Sequence, residues 1–223
     1  MKYRLESVIM MRWWNRHWYE VGIIPAAIAL VVLIATWSET SVLTKIGIIN
    51  FIGIMVHQFE EYGFPGGTPY FMNKYMRGGN ERYPLNPFSA MVVNVVIGYV
   101  CYLLPVFFPN MIWLGMAPIL FGCVFQVFMH IGVFFLKFHR FYNPGVGAVL
   151  CIHVPCGIYY ICYLASNHLI TGRDWIYTAI YLVGMIVFTG IVGQVLFSSK
   201  DSKYAFDRKE ILDGEKFAKR MGL

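Results

Sequence analysis

Apolar residues gather into six long runs separated by short polar or turn-forming stretches. The runs extend roughly from Glu20 to Trp37, Val42 to Tyr62, Phe88 to Phe108, Met111 to Phe138, Gly145 to Ala165 and Asp174 to Ser198. An α-helix rises about 1.5 Å per residue, so each run is long enough to cross a hydrocarbon layer about 30 Å thick. The pattern therefore predicts an all-α integral membrane protein, a bundle of six transmembrane helices. Only Pro109-Asn110 separates the third and fourth runs, which predicts a tight antiparallel pair.

The first twenty residues are too polar to span. Trp13, Trp14, Trp18 and Tyr19 are interleaved with Arg12, Arg16 and His17, as expected of an N-terminal interfacial amphipathic helix. A single domain over residues 1–198 and a charged tail over residues 199–223 follow from this division.

Composition agrees with the pattern. Of 223 residues, 58% are hydrophobic and 13% charged, and mean hydropathy is +0.57. A soluble domain carries about 25% charged residues. The net charge of +6 comes from tails and loops and does not point to nucleic acid; it suits contact with anionic membrane lipids. The N-terminal segment, the loops after the second and fourth spans and the tail hold 16 of the 18 Lys and Arg residues. The positive-inside rule then predicts an inner (plasma) membrane protein with both termini in the cytoplasm. The five cysteines all lie in apolar segments and form no secreted disulfide framework.

Against this background His57-Gln58-Phe59-Glu60-Glu61 stands out at the end of the second run. Ionisable groups in hydrocarbon are costly and ordinarily mark a function. Glu60 and Glu61 lie three and four residues beyond His57, so all three side chains share a helical face. With the spans oriented, His57, His130 and His153 fall roughly 8–12 Å inside the same boundary. Asn94 and Gln194 fall in that layer too, and Gln126 lies one turn from His130. Taken singly, each amide is ordinary interhelical glue and each histidine an ordinary packing residue. Pro155, just after His153, removes a backbone donor near the same layer.

Imidazole and carboxylate together suit zinc, iron or manganese. His57, His130, His153 and one of Glu60 or Glu61 form a candidate ligand set, with zinc favoured over iron. The other glutamate is then the acid/base candidate for a metal-activated water. Bridging di-iron sites ordinarily use more carboxylates and paired Glu-x-x-His motifs, which this chain lacks. The loop after the second span contains Gly63-Phe64-Pro65-Gly66-Gly67 and Tyr83-Pro84-Leu85-Asn86-Pro87, and is either a lid or a surface connection.

His57-Gln58-Phe59-Glu60-Glu61-Tyr62 with Phe64-Pro65-Gly66-Gly67 resembles the signature of the HXXEE family of bacterial membrane proteins. His130 and Asn143-Pro144-Gly145 resemble its downstream elements, and the similarity runs from Ile46 to Tyr160. The resemblance implies a polytopic membrane protein with a metal site and no settled reaction. Read physically, Asn143 is expected to cap the fifth span and Pro144 to preset its first turn.

The expected function is a metal-dependent membrane hydrolase of lipid-like or amphipathic substrates, with its site in the cytoplasmic half of the bilayer. The alternatives are an iron-dependent oxidase or hydroxylase, a proton- or metal-coupled transporter, and a structural assembly factor. The nearly apolar outer halves of the spans weigh against transport.

Overall fold

The computed structural model describes residues 2–77, 79–202 and 204–223, with side chains described from Met10 onward. Six helices are long and apolar enough to cross a membrane: Met10–Ala35, Val42–Tyr62, Pro87–Phe107, Ile112–Phe138, Val146–Ser166 and Gly172–Leu196. No strand occurs among the described residues. The fold is an all-α bundle of six spans.

Local chemistry sets the helix starts. Ser41 accepts from the Thr44 amide at 3.2 Å and opens the second span. Asn86 and Ser89 form a reciprocal capping box at the third, as do Thr171 and Asp174 at the sixth. The first span begins earlier than its hydropathy predicts. The N-terminal helix (Lys2–Val21) passes through Gly22 almost directly into Ile23–Ala35, so the amphipathic and apolar segments share one near-continuous helix.

The second span is central and packs against the first, third and fifth. Phe51, Ile54 and Met55 are each at most 2% exposed there. Lipid is as apolar as these side chains, so close packing and interhelical hydrogen bonds hold the bundle together. Gln58 Nε2 supplies one such bond, donating to the Asn94 carbonyl at 2.8 Å, and Asn94 Nδ2 donates to Tyr62 Oη at 3.1 Å.

Four spans contain turns with i→i+5 hydrogen bonding, including Phe128–Val133 and Val149–His153. Such wider turns rotate the following side chains and recur at functional sites. Pro118, inside the fourth span, lies just before one of them.

The loop after the second span is folded. Its short helix Thr68–Phe71 continues through Met72–Met76. Buried Asn73 ties the loop together, donating to the Leu85 carbonyl at 2.8 Å and accepting from its amide at 2.9 Å. The charged C-terminal segment also folds back. Its helix Arg208–Arg220 starts at an Asp207–Glu210 capping box and packs Ile211 and Ala218 with Tyr70, Phe71 and Phe206. An Arg16–Glu210 ion pair at 3.2 Å joins it to the N-terminal helix.

Candidate metal centre

The motif of the second span reaches across to the start of the fifth. Gly145 opens that helix at φ +98°, a left-handed conformation that favours glycine. His57 Nδ1 lies 3.1 Å from the Gly145 carbonyl oxygen. A carbonyl only accepts, so Nδ1 carries the proton and Nε2 keeps its lone pair.

Glu60 turns toward the same helix end. Its carboxylate accepts from the Gly147 amide at 3.1 Å and the Ala148 amide at 2.9 Å, and from Tyr142 Oη at 3.4 Å. These amides belong to a first helical turn that has no intrahelical acceptors, and an anion there also meets the positive end of the helix dipole. Glu60 thus caps the fifth span from a neighbouring helix.

Asn143 does not cap that span. Its amide Nδ2 donates to the His130 carbonyl at 2.7 Å, which turns its Oδ1 toward His130 Nδ1. His130 therefore also holds its proton on Nδ1 and presents Nε2. The expected capping role passes to Glu60, because Asn143 is committed to orienting an imidazole.

Glu61 points the other way, between the two histidines. Its Oε2 lies 3.6 Å from His57 Nε2 and its Oε1 3.6 Å from His130 Nε2. The potential ligand atoms of His57, Glu61 and His130 all fall within 4.8 Å of one another. Two ligands about 2.0–2.1 Å from a tetrahedral ion lie about 3.4 Å apart. The two Glu61 contacts, at 3.6 Å, are close to that, and His57 Nε2 is buried without a hydrogen-bond partner. Two imidazoles aimed by fixed Nδ1–H bonds and one carboxylate fit a divalent metal.

The remaining expected ligand, His153, lies behind this group. Its ring centre is 6.1 Å from that of His57, and Nδ1 bonds to Asn50 Oδ1 at 2.8 Å. Its Nε2 and the nearby Tyr102 hydroxyl are buried without hydrogen-bond partners. The structure thus brings His57, Glu61 and His130 together and sets Glu60 and His153 beside them. Hydropathy gave no signal for Tyr102, an aromatic in an apolar run.

A cavity of about 510 Å³ adjoins the group. Glu61, His130 and Asn143 line it on one side, and Ile97, Phe121 and Ile186 are among its apolar walls. Asn94 and Gln194, which share a depth, and Gln126, one turn from His130, contribute its scattered amides. Thr68, Phe71 and Met72 of the folded loop cover one side.

Fold and site together define a polytopic membrane protein with a His/Glu donor set that could hold a metal ion. The chain belongs to the family described as proteins of unknown function with an HXXEE motif, which matches residues 48–160 and so includes His57, Glu60, Glu61, His130, Asn143 and His153. No curated protein and no solved structure is similar enough to this chain to count as a match.

Proposed function

We propose that the protein is a metal-dependent integral membrane enzyme that hydrolyses a lipid-like or amphipathic substrate. The observation that carries this reading is the placement of Glu61 and His130 on the wall of a largely apolar 510 Å³ cavity. His57 Nε2, His130 Nε2 and Glu61 would hold the ion. Three protein ligands leave a coordination position open, which is the catalytic arrangement for zinc. The ion would supply a polarised substrate oxygen and a water acidic enough to attack near neutral pH.

The surrounding residues have separate tasks. Gly145 and Asn143 fix which nitrogen each imidazole offers. The Glu61 oxygen not engaged in coordination would be placed to accept a proton from water at the site. Glu60 positions the fifth span rather than the reacting groups. His153 backs His57 from outside the donor set, its Nδ1 held by Asn50. The apolar walls take an acyl-like chain and exclude bulk water. Positive-inside charge bias supports placing this end of the bundle at the cytoplasmic leaflet.

Two histidines and one carboxylate are also the donor set of non-haem iron oxygenases. That observation supports a second reading, an iron-dependent oxidase or hydroxylase acting in the same cavity.

The test is elemental analysis of the full chain, purified in detergent without chelator, beside His57→Ala, His130→Ala and Glu61→Gln variants. Near-stoichiometric zinc in the parent, lost in all three, together with turnover of lipid esters or amides, is the expected result. Iron with substrate-dependent oxygen uptake selects the second reading. Full metal occupancy in the variants overturns the ligand assignment.

A further inference from the structure

A second cavity, of about 420 Å³, lies on the other side of Tyr62 from the metal-centre cavity, and Tyr62 and Ala90 line both. Its walls come from the N-terminal helix, the glycine-rich turn after the second span and the C-terminal helix. Asn15 is among the lining residues and is 1% exposed. Both its Oδ1 and its Nδ2 are buried with no hydrogen-bond partner. A buried carboxamide left wholly unsatisfied is costly, and native structures rarely keep one without a partner for it. Asn15 differs in this from Asn50, Asn73, Asn86 and Asn143, which are equally buried and all bonded.

The charges around the cavity are largely spoken for. Arg16 pairs with Glu210 at 3.2 Å, Glu81 with Lys74 at 3.1 Å and Asp213 with Lys216 at 3.1 Å. Asp207 accepts from the Glu210 amide at the start of the C-terminal helix. Among the described lining residues, Glu20, Asp207 and Lys209 have no ion-pair partner; Glu20 and Lys209 are of opposite sign, and Asp207 is held at the helix cap. The one carboxylate left over, Asp207, is committed to the Glu210 amide at the helix start rather than to an ion. Asn15 instead asks for a group that donates and accepts at once. The rings of Tyr19 and Tyr62, stacked with centres 6.1 Å apart, add a flat apolar wall.

We propose that this cavity is a binding site for an uncharged hydroxyl- or amide-bearing group, recognised by the Asn15 carboxamide. The C-terminal helix forms part of its enclosure, held by the Arg16–Glu210 pair and by the close approach of Gly214 to Tyr70. The group belongs either to the head of a neutral amphiphile or to a free polyol or amide. The site is separate from the metal centre and does not depend on it.

The test uses the full chain in detergent with radiolabelled 1-monooleoylglycerol, with free glycerol and acetamide as competitors and oleate as the charged control. Saturable binding of the monoacylglycerol is expected, with oleate a poor competitor. Asn15→Leu should weaken it about 10- to 100-fold, because the ligand's polar group loses its partner in a buried site. If that variant does not fold, Asn15→Ser and Asn15→Ala open similar space, and the serine should bind more tightly. Competition by millimolar glycerol or acetamide assigns the site to the free small molecule; its absence assigns it to the amphiphile. Absence of saturable binding of any probe, equal binding by the serine and alanine variants, or oleate binding as tightly as the neutral lipid would overturn the proposal.

Discussion

Gly145→Ala should disable the metal centre while leaving the bundle folded. A Cβ at Gly145 would lie 2.6 Å from His130 Cε1, 2.7 Å from His57 Cε1 and 3.1 Å from Glu61 Cγ. Carbon atoms prefer about 3.5–4.0 Å, so both imidazoles must retreat by about 1 Å. Metal ligands tolerate about 0.2 Å. The backbone adds to the cost, because φ is +98°. An alanine in the left-handed region costs about 1–2 kcal/mol, and overpacking a filled site costs about 1–3 kcal/mol more. Metal affinity should fall at least about 10- to 100-fold, the loss typical when ligand orientation is disturbed. The assay is zinc competition against a chromophoric chelator, since occupancy alone would hide a tenfold loss from a tight site. Gly184→Ala is the control: beyond its own helix backbone, no atom of the described residues lies within 4 Å of its Cβ position, so affinity should not change. Unchanged zinc affinity in Gly145→Ala would refute the donor set of His57, Glu61 and His130.

The two glutamates should separate cleanly. Glu61→Gln should lower metal affinity more than tenfold in the same competition assay, whereas Glu60→Gln should keep the metal and lose about 0.5–2 kcal/mol of stability in thermal unfolding, the range of a helix cap. Asn143→Ala frees His130 Nδ1 and should weaken metal binding about 10- to 100-fold by the same readout. His153→Ala should retain the metal; loss of binding there would show that the site is closed by four donors. Chelator should lower the unfolding temperature, since an ion present at about 1,000 times its Kd stabilises by about 4 kcal/mol. An unchanged melting curve would show that the ion does not tie the second, fourth and fifth spans together.

The six spans are legible in hydropathy because lipid demands an apolar exterior on every helix, and the second was read as Val42–Tyr62, where it lies. Convergence of His57, His130 and Glu61 is legible from depth, since position along a span follows from residue count. Rotation about each helix axis is less legible. Glu60 and Glu61 differ by about 100° around the helix, so three- and four-residue spacing from His57 leaves one facing the fifth span and the other the fourth. The wide turns at Phe128–Val133 and Val149–His153 shift the faces of His130 and His153 further, and no composition marks them. Asn143 misled because Asn before Pro-Gly is ordinary helix-start chemistry, and only the folded chain shows the histidine it serves. The C-terminal segment reads as a solvated tail because Ile211, Phe217 and Ala218 are few among its charges, yet they suffice to dock it on Tyr70 and Phe71.

The clasp between Glu60 and the amides of Gly147 and Ala148 also sets an order of assembly. The second span emerges from the ribosome long before residues 143–148 exist. Through that interval Glu60 has no amides to hold, His57 has no Gly145 carbonyl and His130 has no Asn143. The motif must wait at the membrane surface or in the insertion machinery, wet and unpaired, until the fifth span arrives. Its burial is then a late event, and a metal ion captured there would certify that the preceding helices have been threaded in the right sequence.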